Sequence, residues 1–185
     1  VGHAKILFRR PAWIEDSLRV RSEPVAGSAD GSWRSVFQAS VLGSVEAGTV
    51  LSVRVCEDVP GTACAGGGTA TTPVPHAKGS VSLAVTIPQA KLWIPGTRAA
   101  RANLYRAHCT LASADGSTLS TRSIRFGVKK IELVGSRIMF NGERLYLRGY
   151  GDDAAFATTA APPTNKAFYY RQLSDMRSLG YNFIR

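Results

Sequence analysis

The chain has 185 residues, of which 44% are apolar and 19% charged: enough length for one domain plus part of another, and the balance of a globular chain that buries a core. Its formal net charge of +10 raises nucleic-acid binding as a class, yet 14 of the 23 Lys/Arg and 8 of the 13 Asp/Glu fall in residues 1–126, so the excess is spread over the chain. With no basic run longer than two (Arg9-Arg10, Lys129-Lys130), a solvated basic surface is favoured and no nucleic-acid partner is expected.

Residues Val1 to Arg10 read as one strand continuing something upstream, with no start Met and no signal-peptide pattern. Pro11 to Asp16 reads as a linker or the start of a strand. Strand candidates then follow in succession: Ser17–Ser22, Trp33–Leu42, Thr49–Cys56, Ser80–Ile87, Ala102–Leu111 and Ser117–Phe126. In the segment from Thr49 to Cys56, Leu51, Val53 and Val55 alternate with Ser52 and Arg54, which puts one face in a core and one in water. Gly27 to Gly31 and Ala114 to Ser117 carry hairpin-turn chemistry. Gly61 to Gly79, with Gly66-Gly67-Gly68, reads as a long mobile loop. About seven short antiparallel strands predict an immunoglobulin-like β-sandwich without the Cys–Trp–Cys pattern of true immunoglobulin domains.

The pattern changes after Phe126. Lys130–Val134 and Arg137–Phe140 read as strands joined by Gly135-Ser136, and Asn141-Gly142 signals a tight turn. Leu145–Arg148 reads as a short apolar strand. A helix follows, with Thr164 as its N-cap, Phe168/Tyr169, Leu173 and Met176 on one face, and Gly180 as its stop. Tyr181–Ile184 is the next strand. Strand, helix and strand make one βαβ unit, which cannot close a sheet alone.

Cys56 and Cys64 flank EDVPGTA and are spaced to close a small loop by a disulfide in an oxidising compartment, whereas Cys109 reads as a small buried hydrophobe. There is no Cys-x-x-Cys pair, and His3, His76 and His108 are scattered, so no metal site is expected. No apolar run approaches the roughly 20 residues of a membrane helix, and no membrane partner is expected. Trp13, Trp33 and Trp93 are read as core or inter-domain packing in preference to a sugar-stacking platform, and His76 as a solvated side chain.

Three segments resemble glycoside hydrolase family 2, the family of β-galactosidases, β-glucuronidases and β-mannosidases. They are Leu92-Trp93-Ile94-Pro95 with Ala102-Asn103-Leu104-Tyr105; Phe126 to Glu132 with Phe140-Asn141-Gly142-Glu143-Arg144-Leu145-Tyr146-Leu147-Arg148-Gly149; and Leu179-Gly180-Tyr181-Asn182-Phe183-Ile184-Arg185. The ordered set carries the resemblance, since an Asn-Gly turn alone means little. The resemblance implies that residues 1–11 end an upstream jelly-roll domain or linker. It makes residues 12–126 the sandwich and residues 127–185 the incomplete start of a (β/α)8 TIM barrel. The expected fold class is therefore mainly β, a sandwich followed by a truncated barrel. It further implies a fragment of an enzyme that hydrolyses terminal β-linked sugars with retention, a carbohydrate substrate and no cofactor.

In that family both catalytic groups are glutamates on later barrel strands, the acid/base in an Asn-Glu pair. The chain has no Asn-Glu pair, and its acidic residues after Phe126 are Glu132, Glu143, Asp152, Asp153 and Asp175. No catalytic residue is expected here, and the fragment itself is expected to be inactive. Asp152 and Asp153, after the first barrel strand, and Arg185, ending the second, are the substrate-binding candidates, because barrel sites form at the carboxyl ends of strands. The family often has Asn-Arg-His-Glu after its Arg-Gly, where this chain has Tyr150-Gly151-Asp152-Asp153-Ala154. The alternative is a non-catalytic sandwich module for carbohydrate binding or adhesion.

Overall fold

The structure is a computed structural model that describes residues 11–61, 64, 67–75, 79–94, 103–151, 156 and 161–185. The strand read over Val1 to Arg10 lies outside the described residues. The described residues divide into two compact units, one within 1–92 and 103–130 and the other within 93–102 and 131–185.

The first unit is an antiparallel β-sandwich. Its strands are β1 (Ala12–Ile14), β2 (Arg19–Pro24), β3 (Trp33–Gly43), β4 (Val50–Glu57), β5 (Thr69–Pro73), β6 (Gly79–Ile87), β7 (Tyr105–Ala112) and β8 (Thr118–Phe126). In one sheet β3 pairs with β6, and also with β1 and β2, which together follow one edge of β3 from Gly43 back to Trp33. The other sheet runs β5-β4-β7-β8. Six predicted strands thus appear with ends shifted by a few residues, and the Pro11–Asp16 segment contributes β1, whose Ala12 and Ile14 are fully buried.

Alternation builds the core. Phe37, Ala39 and Val41 of β3 and Val81, Val85 and Ile87 of β6 meet Leu51, Val53 and Val55 of β4 and Ala107, Cys109 and Leu111 of β7. Period two sends every second side chain inward, so the intervening Arg34, Gln38 and Arg54 stay in water. Phe126 closes one end of the core, edge-on to Phe37 at 5.4 Å and tilted on Tyr105 at 6.0 Å. The Tyr105 hydroxyl accepts a hydrogen bond from the Lys91 backbone N–H at 2.9 Å, so this buried phenol keeps a polar partner.

The Gly61–Gly79 reading needs correction, because it holds strand β5, paired with β4 from Val50↔Pro73 to Arg54↔Thr69. Gly67 and Gly68 feed that strand through a narrow passage. A Cβ on Gly67 would lie 2.0 Å from the Val55 carbonyl oxygen, and one on Gly68 would lie 2.5 Å from that of Thr86. Glycine is needed there for the close approach of backbones.

The second unit has β9 (Ile131–Val134), β10 (Arg137–Phe140), β11 (Glu143–Arg144), β12 (Gly149–Tyr150), helix α1 (Lys166–Ser178) and β13 (Phe183–Ile184). β9, β10 and β11 form a small antiparallel sheet. The β10–β11 turn uses Asn141 and Gly142, both at positive φ (53° and 85°), as the Asn-Gly signal requires. β12 and β13 pair in parallel, Gly149↔Phe183 and Tyr150↔Ile184, with α1 between them in sequence. One strand–helix–strand unit is therefore present.

Two details differ from the sequence reading. Leu145–Arg148 is not a strand; the parallel strand is Gly149–Tyr150. The helix is capped by Asn165, whose side chain accepts from the Ala167 backbone N–H at 2.9 Å, and not by Thr164. The C-terminal stop is as expected. The Gly180 N–H donates to the Arg177 carbonyl at 3.0 Å and the Tyr181 N–H to that of Met176 at 3.1 Å, a Schellman arrangement.

Candidate functional site

The sequence offers three candidate substrate contacts, Asp152, Asp153 and Arg185. Asp152 and Asp153 lie outside the described residues. Arg185 is exposed and follows β13, and its backbone N–H donates to the Tyr150 carbonyl at 3.1 Å. Parallel pairing brings the carboxyl ends of β12 and β13 side by side, so Gly151 and Arg185 leave their strands at the same edge. In open or closed parallel sheets that edge is where ligand-binding loops are built.

The edge is held by polar side chains. Asn182 clamps the segment before β12: its Oδ1 accepts from the Arg148 backbone N–H at 2.8 Å, and its Nδ2 donates to the Tyr146 carbonyl at 3.0 Å. Its backbone N–H also donates to the Arg148 carbonyl at 2.8 Å. A side chain thus satisfies backbone groups that a strand ladder would otherwise satisfy, which is why residues 145–148 run alongside without forming a strand. The Tyr150 hydroxyl accepts from Gln172 Nε2 of α1 at 2.8 Å, and its ring stands edge-on to Tyr181 at 6.2 Å. A Cβ on Gly149 would lie 2.2 Å from the Phe183 carbonyl oxygen, so glycine lets the two strands meet.

The helix face is only partly as read. Tyr169, Gln172 and Met176 are half-buried, whereas Phe168 and Leu173 are exposed. A groove of about 390 Å³ in this unit is lined by Trp93, Leu173, Met176, Tyr181 and Phe183, with Arg177 and Asn182. Its lining is mainly apolar, and sugar recognition needs several convergent polar groups. The groove therefore has the character of a packing surface.

The remaining candidates have structural surroundings. Glu132 lies on β9, Glu143 on β11 and Asp175 on α1. Trp33 is buried in the sandwich core, and Trp93 packs against Phe140 with ring centroids 5.6 Å apart, so both fit the packing role. Asn141 Nδ2 donates to the Trp93 carbonyl at 3.0 Å. Cys109 is buried as a free thiol, and burial pushes it up to about 11. Among the described residues no group of three or more His, Cys, Asp or Glu is placed to hold a metal, and no helix is long and apolar enough to cross a membrane.

Charge does gather at one end of the sandwich. Asp58 bridges Arg106 Nε at 2.9 Å and Arg125 Nε at 2.6 Å. Partial burial acts to raise the Asp58 carboxyl, and the two guanidiniums outweigh it and hold the group below its ordinary range. Lys91 pairs with Glu57 beside it at 2.8 Å, and that bond raises the Lys91 ammonium. These groups tie strand ends together.

Asn182 and Tyr150 hold this edge without a motif that marks them in the sequence. The available signal was a polar residue inside the apolar run from Tyr181 to Ile184: an amide at a strand position usually bonds nearby backbone.

Comparison with known proteins adds a lineage. The family whose model matches is Glycosyl hydrolases family 2, over residues 19–129. A β-glucuronidase of Paenibacillus borealis is 32% identical over 74 residues, which is 40% of this chain and 12% of that protein. Among solved structures, Bifidobacterium dentium β-glucuronidase, complexed with coumarin-3-O-glucuronide, superposes with a TM-score of 0.74 at 22% identity. That match covers 95% of this chain and 27% of the other. Ruminococcus gnavus β-glucuronidase, in complex with D-glucuronic acid, gives a TM-score of 0.68 at 16% identity, with 95% and 26% covered. The chain thus spans about a quarter of the length of these solved relatives.

Proposed function

Because the chain belongs to glycosyl hydrolase family 2, we propose that it forms the sandwich and the opening of the catalytic domain of a retaining β-glycosidase, with β-glucuronides as the substrate class. The observation that carries the reading is the family match over the sandwich, joined to a strand–helix–strand unit of the kind that begins a (β/α)8 barrel. The β-glucuronidase relatives support the choice of sugar.

On this reading residues 12–126 are a supporting sandwich and residues 127–185 open the barrel. Retention needs two carboxyl groups about 5–5.5 Å apart, one to protonate the leaving oxygen and one to attack the anomeric carbon. No Asn-Glu pair occurs among the 185 residues, and both groups are assigned to later barrel strands. This chain's share of the chemistry is then positional. Asp152 and Asp153 follow the edge where Tyr150 ends β12, and in this reading their carboxylates accept hydrogen bonds from sugar hydroxyls. Arg185, leaving the neighbouring strand at the same edge, supplies a cation suited to a carboxylate-bearing sugar.

The test uses the whole protein encoded by the gene. Hydrolysis of a chromogenic β-glucuronide, with the β-anomer released first by NMR, is the expected result. Hydrolysis of the β-galactoside in preference would move the substrate class, and release of the α-anomer would overturn the retaining mechanism. Asp152→Asn and Arg185→Ala are each expected to lower kcat/KM by about tenfold or more. The 185-residue chain alone is expected to show no turnover.

A further inference from the structure

The Cys56–Cys64 disulfide lies beside a thinly packed edge of the sandwich. Cys56 is buried at the end of β4 and Cys64 is exposed, with Cα atoms 5.0 Å apart. The edge strand that follows, β5, has the sequence TATTP and no fully buried side chain, and it pairs with β4 alone. Its side chains add little to the ladder: Ala70 is partly buried against the core, and the Thr71 hydroxyl lies 3.0 Å from that of Ser52. At its start the Val55 N–H donates to the Gly68 carbonyl at 2.8 Å, and Gly67 and Gly68 thread between β4 and β6. At its end Val74 is buried, and its N–H donates to the Thr49 carbonyl at 2.9 Å. By contrast β7 and β8, on the other side of β4, carry the buried Tyr105, Ala107, Cys109, Leu111 and Phe126. Strands with few buried apolar contacts open at low free energy in a fold.

We propose that the Cys56–Cys64 bond is a redox latch for β5: oxidised, it fixes the crossing into β5; reduced, it lets β5 leave β4 while the β4–β7–β8 sheet persists. The bond joins the last residue but one of β4 to the segment that delivers β5, so it removes chain entropy next to an edge strand with little side-chain packing. The chemistry balances by thiol–disulfide exchange. A dithiol reductant attacks the sulfur of Cys64, the exposed residue of the pair, through its thiolate. The Cys56–Cys64 bond breaks, a mixed disulfide forms, and the second thiol resolves it. Two electrons and two protons pass to the protein, leaving two cysteine thiols and the reductant as its cyclic disulfide. A small-molecule disulfide runs the reaction backwards. Cys109 is no competitor, since it is buried and its thiol is held largely protonated. Loss of β5 would leave the alternating strand Val50–Glu57 as a bare edge open to pairing with another strand.

The experiment is hydrogen exchange on the 185-residue chain, oxidised and after dithiothreitol, with thiol counting by mass spectrometry. The oxidised chain is expected to show one free thiol and the reduced chain three. Reduction is expected to speed exchange of the Thr69–Thr72 amides by about tenfold or more, with amides of β7 and β8 unchanged. The double variant Cys56→Ser/Cys64→Ser should behave as the reduced chain does in both buffers. Unchanged β5 protection on reduction would overturn the latch. So would loss of protection throughout the sandwich, which would make the bond a global staple, or three free thiols in the air-oxidised chain.

Discussion

The two units use similar side chains to opposite effect. In the sandwich, Phe37, Leu51, Val53, Ile87 and Leu111 are fully buried, and among the described residues the large apolar side chains it leaves exposed are Val25 and Val59. In the 131–185 unit, Leu133, Tyr146, Tyr170 and Leu179 are each more than 70% exposed, and helix α1 has no buried residue. A sandwich closes on itself because two sheets cover each other's inner faces. Among the described residues the two-stranded parallel sheet with its one helix leaves much apolar surface exposed, and parallel strands are stable when covered on both faces. The difference teaches that the first unit buries enough apolar surface to hold its own fold, while the described part of the second buries little.

The largest expected effect probes the sandwich core. Phe37→Ala removes a ring that is fully buried and packed edge-on to Phe126, and should cost about 3–5 kcal/mol in urea unfolding followed on the sandwich. The matching change in the second unit, Leu173→Ala at a half-exposed helix position, should fall within about 0.5 kcal/mol. Similar costs at the two sites would dissolve the contrast. Next, Asn182→Ala deletes both side-chain bonds to residues 146–148, worth about 1–2 kcal/mol locally. Exchange of the Arg148 amide should accelerate by roughly tenfold while the sandwich amides stay unchanged.

A smaller effect tests how completely the sandwich is satisfied. The buried Thr49 hydroxyl has no hydrogen-bond partner among the described residues. Thr49→Val should therefore be neutral or stabilising by up to about 1 kcal/mol, read from the urea midpoint. A marked loss would show that the hydroxyl is satisfied. The smallest effect is acid sensitivity. Asp115, bonded by Ser113 and Ser117, titrates at about 2 instead of 3.8, and Asp30, bonded by Ser28 and Ser32, is also lowered. A carboxyl lowered in the fold contributes stability that is present above its unfolded value and lost as pH falls through its folded one. The sandwich midpoint should therefore slip between pH 4 and 2, and Asp115→Asn should flatten that slope. A midpoint that rises on acidification would contradict the assignment.

Much of the sandwich was legible because alternation is a strong signal wherever a strand has one buried face, as in Ser80–Ile87. β5 escaped because TATTP buries no full side chain and follows a glycine run, so it carries neither alternation nor apolar weight. The strand read over Leu145–Arg148 was displaced for a related reason. Its apolar residues suggest a ladder, but Asn182, more than thirty residues later, satisfies its backbone, and no local pattern reveals that partner. Thr164 and Asn165 are adjacent and both good caps, and composition cannot choose between them. For the site, the edge was legible through the strand–helix–strand order, which places Gly151 and Arg185 together. The groups assigned to catalysis have no counterpart motif in these residues.

The most direct test of the contrast is hydrogen exchange on the 185-residue chain. The amides of β3, β4, β6 and β7 should exchange slowly, near the rate of global unfolding, while those of β12, α1 and β13 exchange orders of magnitude faster. Equal protection in both units would contradict the account, because it would mean that the open faces of the 131–185 unit cost it nothing.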